Sequence, residues 1–130
     1  MSRESLWVEL VGDIVIARLR GAATQELLTE AHRRVATILR DAGRRSVLYD
    51  ALEMEAPTVD TAYDVIEPTR AVAQLAGKMG IVVTNSRIAY LARLAFGDGN
   101  YRVFYNDMSS ALAWLSPRPP DEAPEAGNAG

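Results

Sequence analysis

Apolar positions along the chain recur with period two in some stretches and with period three to four in others, and the switches between the two periods mark out the elements. Leu6-Trp-Val-Glu-Leu-Val11 and Ile14-Val-Ile-Ala-Arg-Leu19 are β-rich runs separated by Gly12-Asp13. That spacing predicts a hairpin, because glycine supplies the positive φ a two-residue turn needs. Thr24 then reads as an N-cap, and Leu27, Leu28, Ala31, Val35, Ile38 and Leu39 fall on one helical face. Glu26, Glu30, Arg33, Arg34 and Arg40 fall on the other face, and Gly43 supplies a left-handed stop. Ser46-Val-Leu-Tyr-Asp50 and Met79-Gly-Ile-Val-Val-Thr84 are short apolar runs, the pattern of strands buried on both faces. Between them, residues 59–76 carry Ala62, Val65, Ile66, Thr69, Ala73 and Ala76 at helical spacing. Pro68 cannot donate a backbone hydrogen bond, so a kink or two short helices meeting there is expected. Ser86 is expected to cap a helix carrying Ile88, Leu91, Ala92 and Ala95, which Gly97-Asp-Gly-Asn100 breaks. A strand at 101–105 follows, and Asp107 caps a last helix with Met108, Ala111, Leu112 and Leu115 on one face.

The order β-β-α-β-α-β-α-β-α implies a single α/β domain over residues 1–116, with a central mixed sheet of five strands and four to five helices. The strands joined through helices run parallel, and the opening hairpin adds one antiparallel edge strand. Residues 117–130 hold four of the six prolines, one arginine against three acids and no apolar period, so this Pro-rich acidic tail is expected to be disordered.

Composition narrows the function classes. The chain has 130 residues, 48% apolar and 24% charged, which fits one soluble globular domain. It has no cysteine, so disulfides, thiol nucleophiles and thiolate metal sites are excluded. The N-terminal residues lack the basic-then-apolar pattern of a secretion signal and no run is long enough to cross a bilayer, so a cytoplasmic protein without membrane insertion is expected. A net charge of −3 gives no basic surface for counterion release, and no nucleic-acid partner is expected. His32 is the only histidine, flanked at four-residue spacing by Leu28 and Ala36, and reads as a surface residue. Without a partnered histidine, a metal-ligand spacing, a GxGxxG or a GxxxxGK[ST], no catalytic set, cofactor or metal site is expected, and the chain reads as a binding module rather than an enzyme.

Three local features remain as candidate sites. Six acids and no base lie between residues 50 and 67, at Asp50, Glu53, Glu55, Asp60, Asp64 and Glu67. The segments after two parallel strands, Asp50 through Thr58, Asp60 and Thr61, and Thr84-Asn85-Ser86, lie at the sheet edge where open α/β folds bind ligands. Tyr90, Leu94 and Phe96, together with Trp114, sit off the core stripes of their helices, as a contact surface would.

The topology, the stretch Lys78-Met-Gly-Ile-Val-Val-Thr-Asn-Ser-Arg-Ile-Ala-Tyr-Leu-Ala-Arg-Leu-Ala-Phe96 and the ending Ala111-Leu-Ala-Trp-Leu115 after a Phe-bearing strand resemble the SpoIIAA-like proteins of the STAS superfamily. The resemblance covers residues 6–115 and extends to STAS/SEC14-type proteins of unknown function. It implies the fold; with Tyr90, Leu94 and Trp114 off their core stripes and no catalytic set, the chain is expected to be a binding and regulatory module acting through protein–protein contacts, with self-association. A carrier of a small apolar or lipid-like ligand in a sheet-edge pocket is the alternative. Anti-sigma-factor antagonists of the superfamily carry an aspartate after the central strand and then a phosphorylated Ser or Thr at the next helix N-terminus. Here Asp50 matches the aspartate, an ungapped reading puts Asp60 at the phosphoacceptor, and only Thr58 and Thr61 lie nearby. A phosphate on either threonine would sit among the six acids, so Asp60 is expected to fill its electrostatic role permanently.

Overall fold

A computed structural model describes residues 5–117 of the chain. The expected tail lies outside the described residues apart from Pro117. The elements are β1 (Leu6–Val11), β2 (Ile14–Gly21), α1 (Gln25–Ala42), β3 (Ser46–Met54), α2 (Val59–Asp64), α3 (Ile66–Leu75), β4 (Met79–Val83), α4 (Ser86–Phe96), β5 (Tyr101–Tyr105) and α5 (Met108–Leu115).

The five strands form one sheet in the order β1-β2-β3-β4-β5, antiparallel between β1 and β2 and parallel thereafter. The hairpin turns on Gly12 at φ 63 with Asp13 in the ordinary φ range, the combination of a type II′ turn. Because the parallel strands advance in one direction, right-handed crossovers put α1, α2, α3 and α4 on the same face. Their apolar sides close the larger core around Val15, Ala17, Val35, Tyr49, Val72, Ile81, Ile88 and Phe96. Among the described helices only α5, which follows the last strand, reaches the second face, where Ala111 and Leu115 cover Leu48 and Val82. Eight residues of helix cannot span five strands, so among the described residues the β1 end of that face carries no helix. Trp7 and Val11 are exposed there.

The local signals work as expected at most helix ends. Thr24 Oγ1 accepts from Leu27 N–H at 3.1 Å, Thr58 Oγ1 from Thr61 N–H at 3.0 Å, and Asp107 Oδ1 from Ser110 N–H at 3.0 Å. Gly43 ends α1 at φ 86.

Four expectations need correction. Asn85 rather than Ser86 caps α4, its Oδ1 accepting from Ile88 N–H at 3.0 Å while Ser86 is the first helical residue. The break between α2 and α3 falls at Val65, not Pro68. Proline sits in the first turn of α3, where its missing N–H has no intrahelical acceptor to lose. β3 continues to Met54, so Asp50 is a mid-strand residue rather than a strand end. Phe96 is buried, edge-on to both His32 and Tyr49 with ring centroids at 6.4 and 5.7 Å.

Candidate functional site

β3 continues four residues past Asp50, about 13 Å of strand. Tyr49 belongs to the core beneath the four helices, and the pleat sends the next side chain, Asp50, to the opposite face. There Asp50 is buried, its Oδ2 3.1 Å from Arg18 Nε and its Oδ1 accepting from Leu52 N–H at 3.1 Å. The Arg18 guanidinium in turn lies 5.4 Å from the Trp7 ring centroid. Glu53 Oε1 pairs with Arg20 Nε at 2.8 Å, so two of the six acids are matched by arginines of β2. Asp50 is thus a link in a lateral Trp7–Arg18–Asp50 row, on the other side of the sheet from α2.

The remaining loop residues gather at the C-terminal edge of the parallel strands. Thr58 is exposed at the N-cap of α2 and its hydroxyl donates to Thr61 Oγ1 at 3.0 Å. Asp60 is exposed in the first turn of the same helix. Thr84 and Ser86 flank the Asn85 cap, and Asn85 Nδ2 donates to Thr84 Oγ1 at 3.3 Å. α2 packs beside α4, so the two caps open onto one edge.

The three residues expected to form one contact surface separate. Tyr90 is exposed and Leu94 half-buried on α4, over the larger core. Trp114 is half-buried on α5 beyond the sheet, 6.1 Å from the Phe104 ring, with Lys78 Nζ at 4.8 Å and the Arg102 guanidinium at 5.0 Å from its own ring centroid. The adjoining α2 also carries exposed apolar residues, Val59 and Tyr63. Tyr63 follows the core residue Ala62 and lies off the apolar stripe of its segment, the same signal that singles out Tyr90.

The structure overturns the surface reading of His32. It is buried, with Nδ1 2.8 Å from the Tyr49 hydroxyl and Nε2 3.1 Å from Thr69 Oγ1. Thr69 donates its own proton to the Val65 carbonyl at 2.6 Å, so its oxygen must accept from His32 Nε2–H, which leaves Nδ1 to accept from Tyr49. The chain Tyr49→His32→Thr69→Val65 therefore runs one way, and a second ring proton would take the position into which Tyr49 donates. Burial holds the imidazole down to a pKa of about 4 and pushes the Tyr49 phenol up. Beside this chain lies an apolar cavity of about 70 Å³, bordered by Leu28, Met54, Ala62, Leu91 and Phe96. Apolar cavities that take up benzene measure about 150 Å³, so this one is too small for a ring or an acyl chain as it stands.

Among the described residues, no three His, Cys, Asp or Glu side chains are grouped to hold a metal ion, and no helix is long and apolar enough to cross a membrane. No family model matches the sequence, and no curated relative is found. Solved structures do match. An uncharacterised protein with a SpoIIAA-like fold from Shewanella loihica shares 19% identity at a TM-score of 0.59, covering 89% of this chain and 99% of that one. An anti-sigma factor antagonist from Mycobacterium paratuberculosis shares 14% at 0.62, covering 85% and 92%. The anti-sigma factor antagonist SpoIIAA in its unphosphorylated form shares 10% at 0.58, covering 87% and 99%. At these identities the likeness is one of fold.

Proposed function

This chain has a SpoIIAA-like α/β fold, and from that premise we propose a non-enzymatic regulatory module that binds a partner protein at the α2–α4 edge. The observation that carries this reading is the exposure of Val59, Tyr63 and Tyr90 on two adjoining helices, at 39%, 56% and 55%. Tyrosines of this kind anchor protein interfaces because they bury a large ring while keeping a polar tip. The capped helix starts at Thr58 and Asn85 and the exposed side chain of Asp60 supply a polar rim. Two of the structural neighbours are anti-sigma factor antagonists, which favours a protein partner.

The cargo alternative receives less support, since a cavity of about 70 Å³ would have to enlarge before it admitted a lipid. The phospho-switch alternative needs Thr58 or Thr61 as acceptor, and both hydroxyls already bond to each other. Affinity capture from the native cell with wild-type, Tyr63→Ala/Tyr90→Ala and Trp7→Ala baits tests the reading. A protein retained by wild type and Trp7→Ala is expected to fall at least about tenfold on the double variant, a loss of at least about 1.4 kcal/mol. Equal capture by all three baits would overturn it. Recovery of a kinase together with a phosphopeptide covering Thr58 would restore the switch.

A further inference from the structure

β1 is an edge strand, with no neighbour on its outer side among the described residues. Arg20 N–H donates to the Ser5 carbonyl at 3.0 Å, and the pairing Leu6↔Leu19 places these two residues opposite each other. In an antiparallel ladder bonded and non-bonded pairs alternate. Trp7, Glu9 and Val11 therefore direct their backbone groups to β2, and Leu6, Val8 and Leu10 direct theirs outward. Natural sheets blunt such edges with proline, bulges or several charges, yet β1 has one charge, Glu9, and pairs with β2 in unbroken register.

We infer that β1 pairs antiparallel with β1 of a second copy of this chain, about a two-fold axis through Val8, joining the two sheets into one. A strand edge is recognised by another strand, and the sequence of β1 is complementary to itself in this register. Leu6 meets the partner's Leu10, Val8 meets its own symmetry mate, and Trp7 meets the partner's Glu9, so no carboxylate faces a carboxylate. An axis through Glu9 would use the same outward backbone groups but would set two carboxylates directly opposite each other, which is destabilising. The Val8 axis also brings Trp7 diagonally beside the partner's Trp7 and Val11, at a separation that aromatic side chains span. This covers the exposed Trp7 and Val11 at the β1 end of the face, which carries no helix among the described residues. The opposite edge, β5, is less suited, because it carries Arg102 and α5 packs against that end of the sheet. The inference does not rest on the α2–α4 reading, since the two surfaces share no residue.

The absence of cysteine makes the test direct. In a bonded antiparallel pair the Cα atoms are about 5.5 Å apart, within the 4.4–6.8 Å that a disulfide spans. Oxidised glutathione is expected to cross-link most of a Val8→Cys chain into dimer while leaving Val103→Cys and Tyr90→Cys largely monomeric. Sedimentation of the wild-type chain at tens of micromolar should give a dimer, and Val8→Pro should give a folded monomer, because proline there removes an outward N–H and no bond to β2. A monomeric wild type, or cross-linking through Val103 or Tyr90 in preference to Val8, would overturn the inference.

Discussion

Between pH 6.5 and pH 4 the protein is expected to lose about 3 kcal/mol of folding stability through His32. The unfolded imidazole takes up a proton below pH 6.5, whereas the buried ring resists until about pH 4. Stability from this group is therefore complete above pH 6.5, falls by about 1.4 kcal/mol for each pH unit through that window, and is not lost further below it. The hydrogen-bond chain adds a geometric reason, because a proton on Nδ1 would turn the Tyr49 hydroxyl from donor to acceptor and take away the acceptor for its own proton. Urea unfolding at neutral pH and at about pH 4.5 separates this effect from carboxylate protonation when wild type is compared with His32→Leu. His32→Leu should be less stable at neutral pH, since it orphans the Tyr49 hydroxyl and removes the donor to Thr69 Oγ1, but it should lose about 2–3 kcal/mol less on acidification. Equal acid losses in the two chains would show that His32 is not held neutral.

Gly80→Val is expected to destabilise by about 2 kcal/mol or more and to loosen α5 from the sheet. A Cβ at Gly80 would lie 3.0 Å from Leu115 Cδ1 and 3.5 Å from its Cγ, with Leu48 Cδ1 at 3.6 Å. Leu115 is nearly fully buried against Leu48 and Val82, so its side chain has little room to move aside for the added methyls. Leu115→Ala makes room at its own cost, so the double variant should be at least about 1 kcal/mol more stable than the two single losses added together. Chemical denaturation of the four chains measures that coupling, and strict additivity would mean that α5 does not rest on Gly80.

The parts of this fold that could be read in advance are those set by neighbours in sequence. Gly12, Thr24, Gly43 and Asp107 each act through a turn or cap within four residues, and each does so where the sequence places it. Asn85 and Ser86 are adjacent residues that can both cap a helix, so spacing alone did not choose between them. The misreadings involve contacts across the chain. His32 shares the apolar stripe of α1 with Leu28, Val35 and Leu39, but its partners Tyr49 and Thr69 are 17 and 37 residues away. Asp50 could be placed next to Tyr49 but not on a face, because the face depends on which side the crossovers take. The same choice separates Tyr90 from Trp114, since α4 belongs to a crossover and α5 does not.

The strand order carries a consequence for biosynthesis. Each strand lies beside the one preceding it in the chain, so a nascent polypeptide can extend the sheet at its growing edge without inserting a strand between two already paired. The larger core can close progressively as α1, α3 and α4 emerge. Leu48 and Val82, by contrast, gain their cover only when α5 leaves the ribosome, last among the described elements. Until then the second face of the sheet is exposed to other nascent chains, which makes the period just before α5 emerges the interval of greatest exposure to aggregation and chaperone binding.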